Sequence, residues 1–283
     1  MVDVMDGISS LPMMVMYPTT EIERAEKIGP YVMDLAVSAP LLCGKYPLIV
    51  ISHGTGGTPL VYRSLAHYLA QHGCIVGLPE HAHNNRNDNS LEGTLENLTN
   101  RPRHISLAIS WFFDSLNFSD AIATESVTII GHSLGGYTAL ALAGGLPTCF
   151  PKESPDGMSR RIQVHRDHRV NRLVLLAPAT VWYSDTTSLM AIESPILMLV
   201  GQKDEFTPSQ IHAHIVLNGV SDRHLVQFSL IENAGHYSFL SPFPAHMCHE
   251  KFLPSQDPQG FDRVAFQVAM HADILAFITA DAG

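Results

Sequence analysis

The stretch with the most chemistry in its spacing is Gly131-His132-Ser133-Leu134-Gly135. A β-branched apolar run, Val127 to Ile130, precedes it, and a helix-forming run from Thr138 to Leu146 follows. Strand, sharp turn and helix with a serine at the apex is the pattern that presents a nucleophile. The turn forces the serine backbone into a strained conformation and crowds strand against helix, so Gly131 and Gly135 stand where a side chain would clash. Ser133 Oγ would then emerge at the carboxyl edge of a sheet. The Leu134 N–H would open a helix, where an anion is favoured. The alternative role for such a serine is a helix N-cap.

A serine nucleophile needs a base, and the base needs an orienting acid. In a strand–turn–helix context the chain order is serine, acid, histidine. Asp204 and His236 follow Ser133 in that order, each just past a run that reads as a strand. Asp204 competes with Glu205 beside it and with Asp185 in a Ser/Thr-rich loop. It is preferred for its place in a Gly-led turn four residues after a buried strand, and its alternative role is the N-cap of the next helix. His236 follows the last strand after Ala234-Gly235. The Gly-rich loop His53-Gly54-Thr55-Gly56-Gly57 ends another strand and can bring a backbone N–H close to a ligand. The Thr55 N–H is the expected partner of the Leu134 N–H in an oxyanion hole; the alternative is a flexible strand-to-helix turn. Such chemistry needs no cofactor and no metal.

The elements that must position these residues alternate along the chain. Near-continuous apolar runs at Tyr46–Ser52, Cys74–Leu78, Arg172–Ala177 and Pro195–Val200 read as buried strands, and Leu225–Ile231 reads as the last strand. Helical spacing follows Pro59, runs from Arg101 to Phe118, recurs from about Pro208 to Leu217, and closes the chain from Phe261 to Ile278. Met13–Tyr17 reads as a strand and Tyr31–Ser38 as its antiparallel partner, with Asp34 marking a solvent face as at a sheet edge. The expected architecture is one α/β domain over residues 1–283, with a mostly parallel sheet and helices on both faces. Residues 148–168 break the rhythm and carry Lys152, Arg160, Arg161 and Arg166. They read either as a small cap that could attract an anionic group or as a solvated excursion.

A net charge of −10 argues against nucleic acid as a partner. The four cysteines form no C-x-x-C pair. Cys43 and Cys74 are expected to be buried thiols, and a Cys149–Cys248 bridge is left open. His81/His83, His165/His168 and His212/His214 are spaced like metal ligands, but none has a third ligand at a recognised distance, so they read as hydrogen-bonded histidines. Acidic residues stand where a secretory signal carries basic ones, and no 18-residue apolar run follows. The expectation is a cytoplasmic protein with a small-molecule acyl substrate and no integral membrane association. Its oligomeric state is left open.

On Ser52–Gly57, Pro79–His81, Gly131–Gly136, Gly201–Asp204 and Ala234–Leu240, the sequence resembles the α/β-hydrolase superfamily. More narrowly it is similar to bacterial serine hydrolases grouped with the platelet-activating-factor acetylhydrolases and dienelactone hydrolases. Pro258–Phe266 resembles that group as well. The resemblance implies the α/β-hydrolase fold, with an antiparallel N-terminal edge on the sheet. It also implies a serine hydrolase acting on short acyl esters or lactones. Dienelactone hydrolases proper use a cysteine where this chain has Ser133. Amide or thioester cleavage by the same triad stays open. A non-catalytic binding protein of this fold usually loses a triad member or the oxyanion loop, and here all of these parts stand.

Overall fold

The computed structural model describes residues 1–5 and 10–280, apart from the side chains of residues 124–126. Residues 6–9 and 281–283 of the expected 1–283 unit lie outside the described residues. The main sheet has eight strands: β1 (Val2–Met5), β2 (Ser10–Met16), β3 (Tyr46–Ser52), β4 (Ile75–Pro79), β5 (Ile122–His132), β6 (Val170–Leu176), β7 (Ile196–Gly201) and β8 (Val226–Ile231). Their order across the sheet is β1-β2-β4-β3-β5-β6-β7-β8. From β4 to β8 every pairing is parallel, while β1–β2 and β2–β4 are antiparallel.

The apolar runs form these strands because both faces are covered. Leu48 and Val50 of β3 point into one core with α2 (Leu95–Asp114), α3 (Leu134–Leu142) and α4 (His212–Gly219). Ile49 and Ile51 point into the other with α1 (Arg63–Gln71) and α5 (Arg263–Thr279). This two-residue alternation is the strand period itself. The strand order reverses around β3, which has β4 on one side and β5 on the other. A crevice opens at the carboxyl ends of the strands at such a point. The loops after β3 and β5 flank it, and these carry Thr55 and Ser133.

Several expectations change. The antiparallel partners of β2 are β1 and β4, and Tyr31–Leu35 pairs instead with Arg24–Ile28 in a separate hairpin. Arg63 on α1 stacks over the Tyr31 ring at 3.7 Å, which docks that hairpin elsewhere. Helix α2 begins six residues before the predicted Arg101, because the Thr94 side chain caps the Asn97 N–H at 3.1 Å and Leu98 is buried. It ends at Asp114, since Ser115 is already extended. Cys43 is exposed, and Cys149 and Cys248 are free thiols, so no bridge joins them.

Residues 148–168 hold a two-residue hairpin, Thr148–Cys149 with Arg160–Arg161, and a 3₁₀ turn at Pro151–Glu153. Arg160 pairs with Asp156, and Arg166 meets Glu193 at 3.2 Å. Just beyond, Arg169 meets Asp167 at 2.6 Å. With carboxylates on these guanidiniums, the reason to expect anion attraction here weakens. Among the described residues no helix is long and apolar enough to cross a membrane.

Candidate active site

Ser133 sits between β5 and α3 with φ 54° and ψ −119°, a strained conformation for a residue with a side chain. Three hydrogen bonds hold it there. Its N–H donates to Leu176 O at 3.0 Å, and its carbonyl accepts from Gly136 N at 2.9 Å and Ala179 N at 2.8 Å. The glycines are there for close approach. A Cβ on Gly131 would lie 2.2 Å from Gly135 O, and one on Gly135 would lie 2.0 Å from Ser52 O. Ser133 is half-buried, and its Cβ lies 3.1 Å from the Cβ position of Gly54, so it faces the loop after β3.

The loops after β7 and β8 bring Asp204 and His236 together. His236 Nδ1 lies 2.8 Å from Asp204 Oδ2, and both residues are buried. A carboxylate only accepts, so Nδ1 carries the proton and Nε2 is left with its lone pair. Asp204 is itself held by the Phe206 N–H at 2.9 Å and the Thr207 N–H at 2.8 Å on Oδ1, with Thr207 Oγ1 at 2.7 Å from Oδ2. Burial pushes its carboxyl pKa up, but the hydrogen bonds and charge of His236 and Thr207 outweigh burial, and the net shift is below the ordinary value. The competing carboxylates are elsewhere. Asp185 closes its own turn on the Thr187 N–H and hydroxyl, and Glu205 is exposed. Aromatic rings surround the imidazole, with Phe206 at 5.1 Å, Tyr237 at 5.2 Å and His132 at 4.9 Å between centroids. Phe206 is exposed, 56 % of its surface facing solvent beside the imidazole.

Leu134 is the first residue of α3, so its N–H has no carbonyl one turn back. Thr55 is exposed, and its hydroxyl accepts from Asn84 Nδ2 at 2.9 Å.

Two groups of partners have no assigned role in the sequence reading, although His132, Ser52, His53 and His81 stand inside the motifs quoted there. The first is a chain through His132. Its Nε2 lies 3.0 Å from the His236 carbonyl, which only accepts, so Nε2 is the protonated nitrogen. Nδ1 then accepts from the Tyr62 hydroxyl at 2.9 Å, and Tyr62 accepts from the Gly54 N–H at 3.4 Å. Burial, then the neighbouring His236, lowers the His132 pKa to about 3, so it stays neutral.

The second group lies behind the oxyanion loop. Arg101, Ser52, His53, His81 and His104 are all buried there. His81, one of the histidines spaced like a metal ligand, bonds Ser52 Oγ at 2.9 Å and His104 Nδ1 at 3.3 Å. His83 is exposed and pairs with Asp88 at 2.7 Å. Among the described residues no group of three or more His, Cys, Asp or Glu side chains is placed to hold a metal ion. A cavity of about 960 Å³ lies at the antiparallel edge between Met14, Tyr17, Leu41 and Trp111; none of Ser133, Asp204, His236 or Thr55 lines it.

Sheet order, strained serine turn and loop placement together define an α/β-hydrolase fold. A crystal structure of dienelactone hydrolase from Anabaena variabilis matches it with a TM-score of 0.59 at 15% identity, covering 96% of this chain and 94% of that one. A family model described as chlorophyllase matches residues 14–150. Platelet-activating factor acetylhydrolase of Cavia porcellus is 30% identical over 36% of this chain and 33% of its own length. The same enzyme of Canis lupus familiaris is 26% identical over the same shares. The match thus spans about a third of these relatives. The structural match shows the fold, while the family model and the acetylhydrolase relatives each match less than half of this chain.

Proposed function

We propose that the protein is a serine hydrolase that cleaves carboxylic esters of short acyl groups through an acyl-enzyme on Ser133. The observation that carries this reading is the 2.8 Å Asp204–His236 bond, which fixes the tautomer that leaves Nε2 able to accept a proton. His236 takes the Ser133 hydroxyl proton as Oγ attacks the acyl carbon. The oxyanion meets the Thr55 and Leu134 N–H groups, each such donor contributing on the order of 10²- to 10³-fold. Asp204 stabilises the imidazolium. His236 then protonates the leaving alcohol, and water activated by the same imidazole hydrolyses the acyl-enzyme. The acetylhydrolase relatives favour a short acyl group.

A panel of p-nitrophenyl esters of increasing chain length tests the reading, with Ser133→Ala alongside. The short esters should turn over fastest, and the substitution should remove both turnover and labelling by a fluorophosphonate probe. Ester hydrolysis that survives Ser133→Ala would refute it.

A further inference from the structure

Arg101 is completely buried in the middle of α2, and every partner it has is neutral. Its Nε donates to Thr138 Oγ1 at 3.1 Å and its Nη1 to Asn84 Oδ1 at 2.5 Å. Its Nη2 donates to Ser52 Oγ at 3.3 Å and to the His53 carbonyl. Among the described residues no carboxylate bonds or pairs with it. The neighbouring histidines add no counter-charge. His53 Nδ1 donates to Gly54 O at 2.7 Å, so its Nε2 accepts from the His81 N–H at 3.0 Å. Since Ser52 Oγ accepts from Arg101, its own proton goes to His81 Nε2, and His81 Nδ1–H is left to donate to His104 Nδ1. All three rings are neutral in that arrangement. Burial, then the Arg101 charge, holds the pKa of His53 and His104 at about 3 and that of His81 well below its usual value.

An unpaired buried cation is costly, and removing such groups often stabilises a fold. The partners of Arg101 show where its charge is used. Asn84, which accepts from Nη1, donates from Nδ2 to Thr55 Oγ1. Thr138, which accepts from Nε, donates its own proton to Leu134 O at 3.1 Å. The guanidinium therefore reaches both halves of the oxyanion hole, each through one intervening side chain, and grips the His53 carbonyl between them. Resting on the reading of Ser133 as nucleophile, we propose that Arg101 is the positioning residue of the oxyanion hole, kept without a counter-ion so that the negative charge formed during acyl transfer is the first it meets. A planar fork reaches three elements from three separate nitrogens, whereas a lysine gathers its donors on one.

The test is Asn84→Asp, with Arg101→Lys as its companion, each read as kcat, KM, thermal midpoint and fluorophosphonate labelling rate. Asn84→Asp gives Arg101 a carboxylate while the Thr55 hydroxyl can still bond by donating to it. Its midpoint should match or exceed wild type, while kcat and labelling rate fall about 10- to 100-fold at a KM within about threefold, because the loss is confined to the transition state. Arg101→Lys keeps the charge and loses the fork, and should lower kcat by about tenfold or more. A folded Asn84→Asp with kcat within twofold of wild type, or one that raises KM alone, would overturn the proposal. Asn84→Asp also loses the bond from Asn84 Nδ2 to Asn89 Oδ1 at 2.7 Å, so if it unfolds Arg101→Lys decides, and a kcat there within twofold of wild type would overturn the proposal. Labelling of the wild type keeps the two readings apart. An unlabelled wild type sinks the nucleophile, and with it the oxyanion hole; a labelled wild type with indifferent variants sinks only the role of Arg101.

Discussion

The two flanks of Ser133 are built on opposite electrostatic plans. On the side of His236 the buried charge is a carboxylate, Asp204, wrapped in backbone N–H donors with aromatic rings outside it. On the side of Thr55 the buried charge is a guanidinium, Arg101, wrapped in amides, hydroxyls and neutral imidazoles. In the proposed acyl transfer one charge of each sign forms, an imidazolium on the first flank and an oxyanion on the second. Each flank thus holds in advance the charge opposite to the one it will receive, and little has to reorient when the reaction occurs. On the first flank the charge already bonds the ring that turns positive in the proposed mechanism. The second leaves its charge unpaired, and so it should be the less stable half of the site.

The sharpest way to break the first flank is Asp204→Asn. An amide can offer N–H to His236 Nδ1, which turns that nitrogen into the acceptor and puts the proton on Nε2, the nitrogen that the proposed mechanism needs free. The geometry is kept and the base is lost, so kcat should fall about 10³- to 10⁴-fold with little change in the thermal midpoint. Steady-state kinetics on the best ester of the panel checks this. A fall of less than tenfold would mean that this pair is a structural bond and that the acid lies elsewhere.

The second flank should give way first in acid. His53 and His104 on this flank, and His132 between the flanks, are held neutral with pKa values near 3, whereas in the unfolded chain they take protons around pH 6.5. Between those limits the unfolded state binds more protons than the native one, so stability falls as the pH drops from about 6.5 towards 3. Each such histidine contributes up to about 1.4 kcal/mol per pH unit. Asp204 has the opposite timing. Its pKa is lowered, so what it contributes is present above the ordinary carboxylate range and is lost only below it. Urea midpoints at pH 7, 6 and 5 should therefore drop steeply, before any carboxylate of the first flank titrates. A flat profile from pH 7 to 5 would show that the buried imidazoles are already hydrated or protonated in the native state.

The same contrast explains what could be read along the chain. Ser133, Asp204, His236 and Thr55 each lie in a short motif soon after a strand of the main sheet, and strand ends on one sheet edge converge whatever their sequence separation. Arg101 gives no such mark. It lies on a helix whose apolar spacing points to Ile105, Ile109 and Phe112, and its partners run from Ser52 to Thr138. Hydrogen bonds between neutral side chains of distant elements leave no periodicity. His81 and His104 are 23 positions apart and meet only after folding, so His81 read most naturally with His83, its neighbour in the chain. The edge of the sheet was misread for a related reason. Tyr31–Leu35 has the alternation of an edge strand, but alternation does not name the partner, and the four residues of β1 are too short to announce themselves.

One chain of hydrogen bonds joins the two flanks, and cutting it should have the smallest effect. Gly54 N–H, the Tyr62 hydroxyl, His132 and the His236 carbonyl run from the oxyanion loop to the base without carrying a net charge. Tyr62→Phe removes one hydroxyl and leaves the Gly54 N–H and His132 Nδ1 unsatisfied in a buried place, at a cost of about 1 to 3 kcal/mol in stability. Because only positions and no charges change, kcat should fall about three- to tenfold with KM nearly constant. Combining it with Asp204→Asn decides whether the flanks act separately. If they do, the two losses in log kcat add, since each substitution removes a different contribution to the same transition state. If the double variant is no slower than Asp204→Asn alone, Tyr62 acts through the base, and the two flanks must be treated as one coupled network.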